Sequence, residues 1–189
     1  EVEDIIGVPT SIRTETRARE LGIPLTSLAS VGSLDLTVDG ADEVDPKLNL
    51  VKGMGGALIR EKMIAQATRY FLIIVDEGKL VSRLGTRAPL PVEVLEFEWE
   101  AHIPFLERLG ARPALRRGED GGEYRTDNGN LVLDCHFPEG MREPHALDKA
   151  LQSRAGLVGS GLFLGMAQEV LVGGVDGVSR LMKTDQGPA

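Results

Sequence analysis

From Asp4 to Asp76 short apolar runs alternate with amphipathic stretches. Asp4-Ile5-Ile6-Gly7-Val8-Pro9 is an apolar run closed by proline and reads as a buried strand. Thr10 or Ser11 can cap a helix over Ile12 to Leu21, which Gly22 stops. Ile23-Pro24-Leu25 reads as a second short strand. Leu34-Asp35-Leu36-Thr37-Val38-Asp39 alternates at period two and runs into Gly40. Leu48 to Val51 predicts a brief strand, Ala57 to Tyr70 a helix, and Phe71-Leu72-Ile73-Ile74-Val75-Asp76 the clearest buried strand of the chain. Strands separated by helices at this spacing predict βαβ units and a parallel, doubly wound sheet, whose ligands sit beyond the carboxyl ends of the strands. Asp39 and Asp76 both fall at such ends, with Lys79 just past the second.

The pattern changes at Ala88-Pro89-Leu90-Pro91. Strand 92–97, helix 99–109, strands 111–117 and 123–134, helix 144–154 and strand 156–163 follow. This βαββαβ order is the split-βαβ pattern of a ferredoxin-like unit. Asp127-Asn128-Gly129-Asn130 either interrupts its third strand or makes a hairpin turn within it. The tail predicts a helix over Met166–Val170, a strand over Leu171–Gly173 and a last turn over Val178–Met182. A tail that returns to the first sheet makes the second unit an insertion. The expected division is 1–88 plus 162–189 for the first domain and 89–161 for the second.

Composition narrows the function. Of 189 residues, 42% are hydrophobic and only 4% aromatic, so a real but aliphatic core is expected. A net charge of −8, without a basic run or interleaved aromatics, argues against nucleic acid as a partner. No apolar run reaches the ~18 residues of a membrane span, so no membrane partner is expected. The single cysteine, Cys135, rules out an internal disulfide framework and fits a reducing, cytoplasmic compartment. The sequence opens on Glu1-Val2-Glu3-Asp4 without Met, which leaves room for an upstream segment.

The candidate chemistry lies between Asp39 and Glu61. In Asp39-Gly40-Ala41-Asp42-Glu43 the small residues let a ligand approach the backbone, and Asp39 and Asp42 aim two carboxylates from one turn. The group reads equally as an acidic solvated turn, and a divalent-metal reading ranks below both. Lys52-Gly53-Met54-Gly55-Gly56 precedes a helix, so its N–H groups can hold an anion, or it is simply a tight turn. It matches neither a P-loop nor a dinucleotide fingerprint. Glu61 has Ala57, Leu58, Ile64 and Ala65 around it on the helix, a setting that raises a carboxyl pKa toward that of a working base. An Arg60–Glu61–Lys62 ion-pair cluster explains the same residues. His102, His136 and His145 share no metal-ligand spacing and read as structural or surface residues. Cys135 reads as core, and Arg116, Arg117 and Arg142 as solvated.

Val38-Asp39-Gly40-Ala41-Asp42-Glu43, Lys52-Gly53-Met54-Gly55-Gly56-Ala57-Leu58, Arg60-Glu61-Lys62 and Pro89-Leu90-Pro91-Val92-Glu93-Val94, in that order, resemble the type A ribose-5-phosphate isomerases. Thr126-Asp127-Asn128-Gly129-Asn130 and Gly161-Leu162-Phe163 extend the resemblance along essentially the whole chain. It implies a Rossmann-like, doubly wound, mainly parallel sheet with an inserted ferredoxin-like α+β domain. It also implies interconversion of ribose 5-phosphate and ribulose 5-phosphate, in the non-oxidative branch of the pentose phosphate pathway, with no metal or organic cofactor.

By the same resemblance Glu61 is the base that carries a proton between carbons 1 and 2 through an enediolate. Asp39 and Asp42 help open the sugar ring and hold hydroxyls, and Lys52 faces the developing oxyanion. Gly40, Ala41, Gly53, Met54 and Gly55 line the substrate with main chain, and Lys79 lies on the phosphate side. The implied partners are a small sugar phosphate and further copies of the chain, as a homodimer or homotetramer. The family's phosphate-binding strand and Gly-Thr-Gly-Ser-Thr loop have no counterpart in the sequence, so these residues alone are expected to be inactive or very weak. A non-enzymatic sugar-phosphate-sensing effector domain of a transcription regulator is the alternative reading.

Overall fold

In the computed structural model, which describes residues 5–183, the chain runs through α1 (Ile12–Glu20), α2 (Leu28–Val31), β1 (Leu34–Asp39), β2 (Glu43–Val44), β3 (Leu50–Val51), α3 (Leu58–Gln66) and β4 (Thr68–Asp76). It continues through β5 (Leu90–Val94), α4 (Ile103–Arg108), β6 (Arg112–Leu115), β7 (Leu131–His136), α5 (Pro144–Gln152), β8 (Leu157–Ser160), β9 (Leu162–Phe163), β10 (Glu169–Gly174) and β11 (Gly177–Met182).

The apolar run of β4 makes it an inner strand of the first sheet, ordered β1-β4-β10-β11. β1 and β10 flank it in parallel, and β11 closes the sheet antiparallel. Phe71, Ile73 and Val75 of β4 pack on Val170 and Val172 of β10, with Leu50 and Phe163, in one core. Full burial of each such side chain contributes roughly 1.5–3 kcal/mol. Leu36, Val38 and Ile74, on the opposite face, are about half exposed. The resulting architecture is the expected Rossmann-like, mainly parallel sheet.

Between β4 and β10 the chain builds a second, antiparallel sheet in the order β6-β7-β5-β8. Leu90, Val92 and Val94 of β5 point into a core shared with Leu131, Leu133 and Cys135 of β7, Leu106 of α4, and Leu147 and Leu151 of α5. The alternate residues of β5, Pro91 and Glu93, are buried on the other face, Pro91 near Gly53 and Glu93 under the turn Thr126 to Asn130. With both faces covered, β5 reads as a continuous buried strand. This is the inserted ferredoxin-like α+β unit.

A small sheet, β2-β3-β9, joins the two. Gly161 stitches the junction: it donates to Pro91 O and accepts from Lys52 N at 2.9 Å. A Cβ there would sit 2.0 Å from Lys52 O, so only glycine fits.

Several element boundaries differ from the expectation. The helix over 57–70 ends at Gln66, and Thr68 to Tyr70 belong to β4, because β1 takes its hydrogen-bonding partners from Thr68 onward. The Met166–Val170 helix does not form. Glu169 and Val170 start β10, where pairing to β4 outweighs the helix propensity of Met, Ala, Gln and Glu. Val178–Met182 is strand β11 rather than a turn. Of the predicted strand 123–134 only β7 is regular, and Thr126 to Asn130 form a closed turn ahead of it. Gly7 and Leu25 make a single bridge where two short strands were expected, while Asp4 lies outside the described residues. Among the described residues no helix is long and apolar enough to cross a membrane.

Candidate active site

Lys52 follows β3 and is almost fully buried, its side chain 3% exposed. Its ammonium donates to Gly40 O at 2.6 Å and stands 2.9 Å from Asp39 Oδ2 and 3.1 Å from Glu61 Oε2. The Phe163 ring backs it at 5.5 Å, an arrangement that favours a cation. Three oxygens from β1, the turn after it and α3 therefore converge on one fixed positive charge.

Each carboxylate is placed by local structure. Asp39 ends β1 and takes the backbone N–H of Gly40 on Oδ1 at 2.8 Å. Asp42 accepts from Met54 N at 3.0 Å, tying the acidic turn to the glycine loop. Glu61 lies in the first turn of α3, its side chain 15% exposed. Burial raises its pKa, the Lys52 charge pulls it back, and Asp39 and Asp42 add smaller upward pushes; the result is raised. Glu61 Oε2 is buried, and the charge of Lys52 and its hydrogen bonding both pull the carboxyl down against the effect of burial.

The glycine loop is open on one side and braced on the other. A Cβ at Gly55 would meet nothing within 4 Å, whereas one at Gly56, whose φ is +82°, would fall 1.8 Å from Tyr124 Oη. Arg116 holds the loop from beneath, donating to Gly53 O at 2.9 Å and Met54 O at 3.1 Å. It also makes a two-point ion pair with Asp134. Arg116 is thus not solvated as its sequence context suggested. Its neighbours in sequence carry no sign of this, since the acceptors lie about sixty residues away, at 62 and 63 positions' separation.

Glu43 is also absent from the expected site set, and it turns away from Lys52. Fully buried, it accepts the backbone N–H groups of Gly85, Arg87 and Ala88 and so fixes the segment entering β5. Arg60 and Lys62 do not pair with Glu61. Arg60 reaches Asn128 and Asp127, and Lys62 donates to Ser160 O at 2.7 Å. Of the residues expected to line the site, Gly40 accepts from Lys52 and Met54 donates to Asp42, and Ala41, Gly53 and Gly55 adjoin them in sequence. Lys79 ends the short turn Glu77–Lys79 after β4, half-buried, and no ion pair joins it to Asp39 or Glu61 among the described residues.

The remaining candidates sit elsewhere. Cys135 is buried in β7 with its thiol pushed up to about 12 by burial and by Asp134, which removes it as a nucleophile at neutral pH. His102 is buried and takes Arg154 Nε on Nδ1, with its pKa lowered by burial and then by that charge. His136 and His145 are exposed. No three His, Cys, Asp or Glu side chains are grouped for a metal ion among the described residues, and the Lys52 ammonium stands where a cation would pair with Asp39.

A buried carboxylate of raised pKa beside a fixed ammonium can take a proton from a carbon next to a carbonyl while the cation holds the oxygen. Comparison with known proteins gives the family. Residues 6–177 match the family model of ribose 5-phosphate isomerase A (phosphoriboisomerase A). The ribose-5-phosphate isomerase A of Chloroflexus aurantiacus is 51% identical over 187 residues, spanning 99% of this chain and 78% of that protein. A solved D-ribose-5-phosphate isomerase in complex with phospho-erythronic acid superposes with a TM-score of 0.92 at 42% identity, over 96% of this chain and 79% of that one. The Plasmodium falciparum enzyme superposes with a TM-score of 0.92 at 38% identity, over 96% and 79%. This chain accordingly belongs to the ribose 5-phosphate isomerase A family, the aldose–ketose isomerases of the pentose phosphate pathway.

Proposed function

We propose that this chain interconverts D-ribose 5-phosphate and D-ribulose 5-phosphate through an enediolate, with Glu61 as the base. The observation that carries the reading is the Lys52 ammonium 3.1 Å from the buried Glu61 carboxylate. Glu61 takes a proton from carbon 2 of the open-chain aldose and returns it to carbon 1. Lys52 stabilises the oxygen that gains charge as the enediolate forms, a contribution of about 3 kcal/mol where the donor is fixed and shielded from water. Asp39 and Asp42 help open the ring and hold the hydroxyls. The main chain of Gly40, Ala41 and Gly53 to Gly55 lines the sugar, and Lys79 serves the phosphate end. Phospho-erythronic acid, bound by the solved relative, carries a planar carboxylate beside a hydroxyl-bearing carbon, the shape an enediolate also presents.

The reading extends to assembly and place. The chain divides into 1–88 plus 162–189 and 89–161, with the second part helping to form a homodimer or homotetramer, and it works in the cytoplasm. Coupled turnover of ribose 5-phosphate by the complete protein tests the activity. Ribulose 5-phosphate should form in excess chelator without release of phosphate, and no product would overturn the assignment.

A further inference from the structure

Arg60, Glu61 and Lys62 are consecutive on α3, so their side chains leave the helix about 100° apart. Each ends on a different part of the molecule. Arg60 Nε donates to Asn128 Oδ1 at 3.0 Å, and its Nη2 donates to Asp127 O at 2.8 Å. Lys62 donates to Ser160 O at the end of β8, with its ammonium 5.0 Å from the centre of the Phe163 ring. Between them Glu61 reaches Lys52.

The Arg60 anchor is itself held. Asn128 Nδ2 donates to Glu93 Oε1 at 3.1 Å, and the same oxygen takes Thr126 Oγ1 at 3.1 Å and Asn130 Nδ2 at 2.8 Å. Glu93 is fully buried on β5, so the turn Thr126 to Asn130 is pinned to the inserted sheet by one carboxylate oxygen. Asp127 of that turn also accepts the N–H of Ile12 at 2.8 Å, the first residue of α1. By contrast α3 has no side-chain cap at its N-terminus, and its nine residues are too few to hold a pose alone.

We propose that Arg60 and Lys62 are positioning residues that clamp the rotation of α3 from either side and thereby aim Glu61 at Lys52. The inserted sheet supplies both anchors, the Asn128–Glu93 turn for Arg60 and the Ser160 carbonyl for Lys62. This rests on the reading of Glu61 as the base. A misplacement on the order of 1 Å at a reacting group lowers a rate about 100-fold, so a clamp acting at the neighbouring residues bears directly on turnover.

The test is kinetic, on the complete protein, with Arg60→Ala, Lys62→Met and Asn128→Ala beside Glu61→Gln. The charges that act on Glu61 come from Lys52, Asp39 and Asp42, not from Arg60 or Lys62. Removing a neighbouring cation also raises a carboxyl pKa directly, so Arg60→Lys, which keeps the charge, separates loss of the clamp from loss of charge. Each clamp variant is expected to lower kcat about 10- to 100-fold with KM within about twofold. Its acid limb should move upward as Glu61 loses part of the Lys52 field. Arg60→Lys, which cannot fork between two acceptors, should recover only part of the rate. An unchanged kcat and pH profile per folded molecule, even with a lower melting temperature, would overturn the clamp. Arg60 is one-third exposed, so Arg60→Ala keeps the fold and decides the matter if Lys62→Met does not. Turnover that survives Glu61→Gln overturns the base assignment and the clamp together. A dead Glu61→Gln beside unaffected clamp variants overturns the clamp alone.

Discussion

The Lys52 ammonium lies 3.1 Å from Glu61 Oε2 while its aligned hydrogen bond goes to Gly40 O. The lysine is thus shared among Gly40 O, Asp39 and Glu61: burial keeps the Glu61 carboxyl above its ordinary value, and the lysine limits how far it rises. A fully satisfied ion pair at this place would make a weaker base.

The first consequence is a pH dependence with a defined sign. The base must be ionised, so kcat/KM should fall as pH drops through the raised Glu61 value, above the ordinary 4.5. Stability runs the other way. The unfolded chain ionises Glu61 near 4.5, so between that value and the raised folded one stability is lost as pH rises. Glu61→Gln should abolish turnover yet raise the neutral-pH melting temperature by about 2 °C. Calorimetry and a coupled assay check both, and a melting temperature that falls contradicts the strained-base picture.

Replacing Lys52 removes the charge on which Asp39 and Glu61 converge. Lys52→Met should cost about 3 kcal/mol of stability, as breaking a buried pair does. It should also lower kcat/KM by roughly 1,000-fold and move the acid limb upward. Denaturant unfolding together with a pH-rate profile measures all three.

Arg116 carries the glycine loop from a distance. Arg116→Ala strips two carbonyls and Asp134 of their partner, and is expected to cost about 3 kcal/mol and to raise KM about tenfold. Arg116→Lys should restore little of this, since an ammonium cannot make the two-point pair with Asp134 and still reach the loop. Steady-state kinetics of the two variants separates loop support from simple charge.

Glu43 sits in the acidic motif but works on the fold. Glu43→Gln keeps one acceptor and turns the other into a donor facing backbone N–H groups that also donate. A loss of about 2 kcal/mol in stability is expected, with KM little changed. Urea unfolding and kinetics check the split. A large KM effect would place Glu43 in the site after all.

Much of the fold was legible because its signals are local. The period-two run of β1 and the apolar run of β4 predict strands wherever they stand, and Asp39 at the end of β1 lies at a ligand-binding edge by topology alone. The order of elements from β5 to β8 likewise announced the inserted unit. The exceptions are a boundary and a propensity: Thr68 to Tyr70 follow the helix without a break in the apolar pattern but pair with β1, and Met166 to Val170 favour helix as an isolated stretch but yield to pairing with β4.

The site divides the same way. Glu61 among apolar helix neighbours, with Lys52 ahead of a glycine run, could be picked out from the chain, although local chemistry alone left Glu61 between a base and an ion-pair member. Its helix neighbours Arg60 and Lys62 were resolved only by the fold, which sends one to Asn128 and the other to Ser160 and leaves Glu61 to Lys52. Arg116 and Glu43 acquire their roles from backbone atoms more than forty positions away, at separations of 42 to 63 residues. The sequence by itself determined which side chains carry charge and which strands end in acids, because those properties belong to single residues and short periods. Only the tertiary structure decided which charges meet, because a buried ion pair forms where distant backbone segments are packed together and water is excluded.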